Sequence, residues 1–262
     1  MCVVLFAWRH APGHRLLLMG NRDEFHARPT ADMGWWPGAA MLAGRDLEAG
    51  GTWMAVTRSG RFALVTNVRG RQRPAPGHAI SRGLLVAAFC GSDLDPQRFA
   101  AALADSDDRY AGYNLLITDG DTLVCHSNRY RTVVVEPGIH GLSNAELDEA
   151  WPKVSRGTAW LEAAPDADDD TLLNWLADDQ PVPDDELPDT GVGTELERQL
   201  SSLFVRAGDY GTRASSLVRL TDDGHCSFTE RRYDETGRNL GTHTEHFAVR
   251  PRPWGPGLGA SS

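Results

Sequence analysis

The sequence predicts an α+β protein in which antiparallel sheets pack together under covering helices. Three observations carry that expectation. Short apolar runs broken by tight turns fill the first third, two helical patterns follow, and the strand and helix blocks then recur in the same order. Blocks of strands followed by blocks of helices are unlike the strict alternation of a doubly wound sheet and suit packed sheets with helices outside. At 262 residues one layered domain buries a large core. A single domain over residues 1–250 and a flexible tail at 251–262 are expected.

In chain order, the runs Cys2 to Trp8 and Leu16 to Gly20 flank Ala11-Pro12-Gly13-His14, and Trp53 to Thr57 and Phe62 to Asn67 flank Arg58-Ser59-Gly60-Arg61. Both pairs read as hairpins. Ser81 to Cys90 has helical periodicity through Leu84, Leu85, Ala88 and Phe89. A second helix opens at Asp95-Pro96, where Asp caps, Pro takes the first helical position, and Phe99 and Leu103 share a face. Strands return at Asn114 to Thr118 and Thr122 to His126 around Asp119-Gly120-Asp121, then at Thr132 to Glu136 and Ile139 to Asn144. Trp151, Val154, Thr158 and Leu161 predict a helix, as do Leu172, Leu173 and Leu176. The acidic, Pro-rich stretch 178–189 reads as exposed, mobile loop. Ser216 to Thr221, Cys226 to Tyr233 and Thr244 to Arg250 close the chain as a meander, and the Pro-, Gly- and Ser-rich end has too little apolar surface to order itself.

Composition narrows the function. A formal net charge of -10 with the basic residues spread out lacks the basic face that neutralises phosphates, so nucleic acid is excluded as the expected partner. Cys2, Cys90, Cys125 and Cys226 lie far apart with no CxxC pair, which argues against zinc and a disulfide framework and for a reducing, cytoplasmic setting. The apolar opening is much shorter than a membrane span and Arg9 and Arg15 follow it, so neither signal peptide nor anchor is expected. Gly50-Gly51-Thr52-Trp53 and Gly191-Val192-Gly193 lack the spacing of phosphate loops and read as turns. Asp46 with Glu48, and the run Asp168-Asp169-Asp170, read as solvated groups. His243 and His246, three apart in a strand, face opposite ways and do not chelate together. No cofactor is expected; a loosely held haem cargo leaves no spacing signal.

The chemical signal is Cys2. Removal of Met1 leaves thiol and α-amine on one residue, with the amine titrating at about 7.7–8.0 and a free thiol at about 8.5, so the amine can take the thiol proton near neutrality. A cysteine opening an apolar strand is more commonly a small buried hydrophobe. The group that argues otherwise is Asn21-Arg22-Asp23-Glu24, where the hairpin partner returns alongside Cys2 and four polar residues are costly to a core.

The chain resembles the NRDE family, also called the transport and Golgi organization protein 2 family. The likeness is carried by Met1-Cys2 with Leu5-Phe6-Ala7-Trp8-Arg9, Asn21-Arg22-Asp23-Glu24-Phe25, Ala43-Gly44-Arg45-Asp46, Gly50-Gly51-Thr52-Trp53 and Thr66-Asn67-Val68-Arg69. It continues in Tyr113-Asn114-Leu115-Leu116, Gly141-Leu142-Ser143-Asn144, Leu187-Pro188-Asp189-Thr190-Gly191-Val192 and Tyr210-Gly211-Thr212-Arg213. That family is similar to the cysteine N-terminal-nucleophile hydrolases, such as bile salt hydrolase and penicillin V acylase. The resemblance implies a four-layer αββα sandwich of two antiparallel sheets. It implies Cys2 as nucleophile, Asp23 on its α-amine, Asn67 and Asn144 in an oxyanion hole, and Arg213 near the thiol. Asn21, Arg22 and Trp53 are the expected substrate-binding residues. Hydrolases of the bile salt type carry an arginine immediately before Asn-x-Asp; here Gly20 stands there, and Arg22 supplies a cation on the same face only if the strand stays extended.

Two functions follow as expectations. One is hydrolysis of a small-molecule linear amide or acyl bond. The other, implied by the family's link to haem mobilisation and to lipid and acyl-coenzyme A homeostasis, is carriage of haem or an acyl-coenzyme A ligand without catalysis.

Overall fold

A computed structural model describes residues 2–70 and 80–250. Met1 and the expected tail at 251–262 lie outside the described residues, as do 71–79.

The strands are β1 (Cys2–Trp8), β2 (His14–Phe25), β3 (Thr30–Trp35), β4 (Met41–Asp46), β5 (Met54–Thr57), β6 (Phe62–Asn67), β7 (Tyr113–Thr118), β8 (Leu123–Ser127), β9 (Val133–Val134), β10 (Gly138–Leu142), β11 (Arg206–Ala207), β12 (Tyr210–Thr221), β13 (His225–Tyr233) and β14 (Asn239–Ala248). The helices are α1 (Gly83–Gly91), α2 (Pro96–Leu103), α3 (Pro152–Ala163), α4 (Asp169–Leu176) and α5 (Thr194–Gln199). One sheet has the order β10-β1-β2-β12-β13-β14, with β11 on β12, and the other runs β3 to β9 in sequence. All pairings between strands are antiparallel.

Alternation along β1 and β2 sorts the layers. Val4, Phe6, Trp8, Leu16 and Leu18 meet Leu42, Met54, Phe62, Leu64 and Leu116 of the second sheet in the inter-sheet core. Val3, Leu5, Leu17 and Met19 point the other way, onto Val154 and Leu161 of α3 and Leu172, Leu173 and Leu176 of α4. On the far side of the second sheet, Ala55, Ala63, Leu115 and Ile117 pack against Leu85, Val86 and Phe89 of α1 and Phe99 of α2. Three cores between four layers make the expected αββα sandwich.

The helices start where their chemistry dictates. Asp95 caps α2 by accepting from the Arg98 backbone N–H at 2.8 Å, with Pro96 behind it, and Asp168 does the same for α4 through Thr171 at 2.7 Å. Sequence reasoning missed β3, β4, α5 and the two-residue β11. β3 and β4 carry glycines and a register irregularity between Ala31 and Gly34 that break strict alternation. α5 is six residues long, too short for a helical period to show. The expected strand Thr132 to Glu136 contracts to Val133–Val134. The stretch 178–189 is not a free loop: Val182 is buried and its N–H donates to Ser201 Oγ at 3.0 Å.

Helix α3 lies close over β1. A Cβ on Gly157 would sit 2.1 Å from Leu5 Cδ1 and 2.9 Å from its Cδ2, and Leu5 is fully buried. Gly157→Ala therefore forces Leu5 from its rotamer in a filled layer, with an expected loss of about 1–3 kcal/mol in a urea melt. An unchanged midpoint would mean that α3 does not ride on β1 this tightly.

Candidate active site

The β1–β2 register sets Cys2 opposite Arg22 and Val3 opposite Asn21. Directly opposed residues share a face, so Cys2 and Arg22 lie on the inter-sheet face while Asn21 and Asp23 face the helices. β2 stays extended to Phe25, which puts Arg22 on the face of Gly20 and meets the condition set by the sequence. Arg22 is buried, and its Nη2 reaches Glu24 at 3.9 Å.

Cys2 is 7% exposed. Burial pushes its thiol above the usual value and the Asp23 carboxylate adds to this, while the Asp23 backbone N–H, which donates to the sulfur, and the Arg22 cation pull the other way. Asp23 is 3% exposed. Its Oδ1 accepts from Thr212 Oγ1 at 2.7 Å, and that hydroxyl in turn accepts from the Val205 N–H at 2.9 Å, which fixes its proton toward the carboxylate. Burial raises the Asp23 carboxyl above the ordinary range against the opposing pull of Lys153, Thr212 and Arg22.

Beyond β10 the chain brings Ser143 and Asn144 to Cys2. Ser143 Oγ donates to the Cys2 carbonyl at 3.1 Å. Asn144, fully buried, donates from Nδ2 to the Asn67 carbonyl at 2.8 Å, and its own carbonyl accepts from the Arg69 N–H at 2.8 Å. Cys2, Asn67 and Asn144 are thus joined at one end of the sandwich. One Asn144 amide proton is committed to Asn67, whereas the half-buried Asn67 side chain has no hydrogen bond among the described residues.

Three expected site residues take other roles. Asn21 was expected to bind substrate, but its Nδ2 donates to the carbonyls of Leu176 and Leu203 at 2.8 and 2.9 Å and its Oδ1 accepts from Ser215 at 2.6 Å. It fastens β2 to the helical layer, because the polar ends of that layer need buried partners. Trp53, also expected at substrate, packs on the inter-sheet core. Arg213 was expected near the thiol. It sits at the bulge between Thr212 and Ala214, and its Nη1 donates to the carbonyls of Phe25, His26 and Arg28 at 2.9, 3.1 and 3.3 Å. It holds the turn after β2, and the arginines coupled to Cys2 are Arg22 and Arg82.

Arg82 precedes α1 and is placed by Gly50-Gly51-Thr52-Trp53. The Thr52 N–H donates to the Gly83 carbonyl at 3.1 Å, and a Cβ on Gly51 would lie 2.5 Å from the Gly83 carbonyl carbon. Only glycine permits that approach of two backbones.

Sequence reasoning also missed a buried charge cluster on the helix side. Arg69 pairs with Glu197 of α5 and lies over the Trp151 ring. Glu197 Oε1 accepts from the Thr190 N–H and hydroxyl at 3.0 and 2.6 Å. Lys153, on the first turn of α3, is 3% exposed and donates to the Leu200 carbonyl at 3.0 Å. An open cleft lined by Arg69, Ala145, Trp151, Pro188 and Thr190 lies against this cluster, and a neighbouring one is lined by His140, Glu146 and Asp148. Cys2 lines neither of these two clefts. Among the described residues no group of His, Cys, Asp and Glu side chains could hold a metal, and no helix is long and apolar enough to cross a membrane.

The segment carrying Asn144 is tied down by Asp148, which accepts from the Gly141 N–H at 2.9 Å and meets His140 Nδ1 at 2.8 Å. Burial lowers the His140 pKa, but Asp148 and the Glu136 carbonyl outweigh it and leave it raised. The folded protein therefore holds this proton more tightly than the unfolded chain. The pair's stabilisation is complete below about pH 6.5 and is lost as pH rises through the higher folded value. The stability gap between wild type and His140→Gln is expected to close across that window in urea melts at stepped pH. A gap that stays constant would rule the ion pair out.

The class is an α+β sandwich of two antiparallel sheets between helices, in which a buried cysteine opens β1 and a buried aspartate lies on the neighbouring strand. The family is shown by comparison with known proteins: the model described as Transport and Golgi organisation 2 matches residues 1–235. A bovine Transport and Golgi organization protein 2 homolog is 35% identical over 261 residues, covering 88% of this chain and 92% of its own. The human homolog is 33% identical over 279 residues, covering 95% and 100%. The chain belongs to the Transport and Golgi organisation 2 family. Solved structures to which it is similar include the C2A mutant of conjugated bile acid hydrolase from Clostridium perfringens (TM-score 0.44, 10% identity, 96% of this chain and 98% of that one). Another is the Caenorhabditis elegans ortholog of N-acylethanolamine-hydrolyzing acid amidase (TM-score 0.45, 6% identity, 82% and 92%).

Asn21→Ala separates a structural role from a binding one. It strands the Leu176 and Leu203 carbonyls in the interior and leaves Ser215 only its longer bond to the Tyr233 hydroxyl, so an expected loss of roughly 2–3 kcal/mol accompanies an unchanged rate of Cys2 alkylation. Altered alkylation at unchanged stability would return Asn21 to the ligand site.

Proposed function

We propose that this chain, once Met1 is removed, is an N-terminal-nucleophile cysteine amidohydrolase acting on a linear amide or related acyl bond of a small molecule. The observation that carries the reading is the buried Asp23 carboxylate beside the residue that would bear both thiol and α-amine. A carboxylate in a nearly water-free position is stabilised by each donor or cation that meets it; Thr212 donates to Asp23, and a terminal ammonium at Cys2 would add a further, charged partner.

The chemistry follows from those positions. The Cys2 nitrogen takes the thiol proton, the sulfur attacks the substrate carbonyl carbon, and the proton passes to the leaving amine as the C–N bond breaks. Water, deprotonated by the same nitrogen, then releases the acyl group. Asn67, whose side-chain amide has no hydrogen bond among the described residues, and the second amide proton of Asn144 are the donors for the developing oxyanion. Arg22 favours the thiolate through its charge.

The test uses the Met1-processed protein, verified by N-terminal sequencing, and a library of activated amides and esters read by intact mass spectrometry. An acyl adduct on Cys2 that decays with turnover is expected. Asp23→Asn is expected to cut kcat/KM by about 10²–10⁴. Saturable binding of haem or acyl-coenzyme A that survives Cys2→Ala, with neither adduct nor turnover, would overturn the reading in favour of a carrier.

A further inference from the structure

Arg22, Arg28 and Arg82 stand at the end of the inter-sheet layer that holds Cys2, and they differ in what meets their charge. Arg28 is committed: its Nη2 and Nε donate to Asp46 at 2.8 and 3.0 Å, and its Nη1 donates to Glu48 at 3.2 Å. Arg22 is 8% exposed, lies directly opposite Cys2 in the β1–β2 ladder, and its side chain has no hydrogen bond among the described residues. Its ion pair with Glu24, at 3.9 Å, is too long to be one. Opposed residues of an antiparallel pair have Cβ atoms about 4.5–5.5 Å apart, so the Arg22 side chain starts beside the thiol.

Arg82 forms no ion pair among the described residues. Its Nη1 donates to the Gly112 carbonyl at 3.1 Å, and the same carbonyl accepts from the Val68 N–H at 3.0 Å. That shared acceptor fixes the guanidinium at the exit of β6, next to Asn67, whose own carbonyl accepts from Asn144 at 2.8 Å. A guanidinium presents five N–H donors in a planar fork and no acceptor, and donors left unmet in a buried position are costly. An anion is the strongest partner for them. Arg22, Arg28 and Arg82 are matched in number by Glu24, Asp46 and Glu48, so these six groups are neutral before a ligand arrives. A singly charged carboxylate suits such a set, whereas a phosphate monoester at about −1.5 to −2 would be repelled by the three acids.

We propose that Arg22 and Arg82 form an anion subsite beside Cys2 that takes a carboxylate carried by the substrate within a few bonds of its scissile carbonyl. The proposal rests on the reading of Cys2 as nucleophile and names the class of amide, one that bears an ionised acid group. Arg22 holds that group from the neighbouring strand and Arg82 from the side of Asn67, which leaves the carbonyl oxygen to Asn67 and Asn144. Burial lowers the Arg82 pKa, Cys2 and Glu24 oppose the shift, and Arg28 adds to it.

The experiment compares alkylation of Cys2 by iodoacetate and by iodoacetamide in the Met1-processed full chain, read by intact mass spectrometry with the site confirmed by peptide mapping. Both reagents form the same S–C bond and expel iodide, so their rate ratio cancels the thiolate fraction and reads the carboxylate. An iodoacetate-to-iodoacetamide ratio about tenfold above that of free cysteine is expected, and Arg82→Met is expected to remove most of the excess. A ratio equal to that of free cysteine, or an excess that Arg82→Met leaves untouched, would overturn the subsite.

Should Arg82→Met fail to fold, the wild-type chain suffices. Succinamate, which carries one carboxylate, is expected to slow the reaction of Cys2 with iodoacetamide, and neutral succinamide is not. Equal protection by the two, or protection by inorganic phosphate without protection by succinamate, would sink the carboxylate assignment. Alkylation requires no turnover. A raised ratio without hydrolysis of any amide leaves the subsite standing and removes the hydrolase, while turnover of neutral amides at the free-cysteine ratio does the reverse.

Discussion

The antiparallel register of β1 on β2 is the constraint from which the site follows. With Cys2 opposite Arg22, the pleat sends the thiol and the guanidinium into the inter-sheet layer and the next residue, Asp23, toward the helices. A slip of one residue would exchange these faces for every side chain of β1. It would put Val4, Phe6 and Trp8 against α3 and Val3 and Leu5 between the sheets. The hydrophobic layers that sort these residues therefore also fix where the chemistry lies.

Polar groups gathered at one end of such a sandwich are tolerated because nearly all have partners. Thr212 serves Asp23, Ser143 serves the Cys2 carbonyl, Asn144 serves Asn67, and Glu197 serves Arg69 and Thr190. A network in which every member is satisfied is rigid, and deleting one partner leaves another stranded at its full desolvation cost. The same property makes buried residues of the shared sequence segments hard to read one at a time. Asn21 and Asn144 are similar in type and burial, yet one fastens β2 to the helical layer and the other closes the space around Cys2.

Much of the fold was legible because it is written in local chemistry. The Asp-Pro start of α2, the first hairpin and the apolar runs of β6 and β7 each answer to a short-range rule, and the four layers follow from their order. β3 and β4 were not legible because Gly34, Gly44 and a bulge interrupt the alternation, nor was α5, held by the tertiary contacts of one carboxylate. In the site, the neighbourhood of Cys2, Asp23, Asn67 and Asn144 could be expected from motif likeness. The distinct tasks of Asn21, Trp53 and Arg213 could not, since they depend on which carbonyls and rings arrive from distant strands. Lys153 had one available signal, its solitude among arginines, and periodicity alone makes it only a residue at a helix start.

Glu197 joins two parts of the molecule that no strand connects. One of its oxygens is given to Thr190, in the Leu187 to Val192 segment, and the other to Arg69, at the exit of β6. Parting those segments would leave a carboxylate and a guanidinium in the interior without each other, a penalty of several kcal/mol. The wall of the cleft and the strand end beside Asn144 consequently behave as one stiff body, and a ligand entering there meets a surface whose shape is set before it arrives.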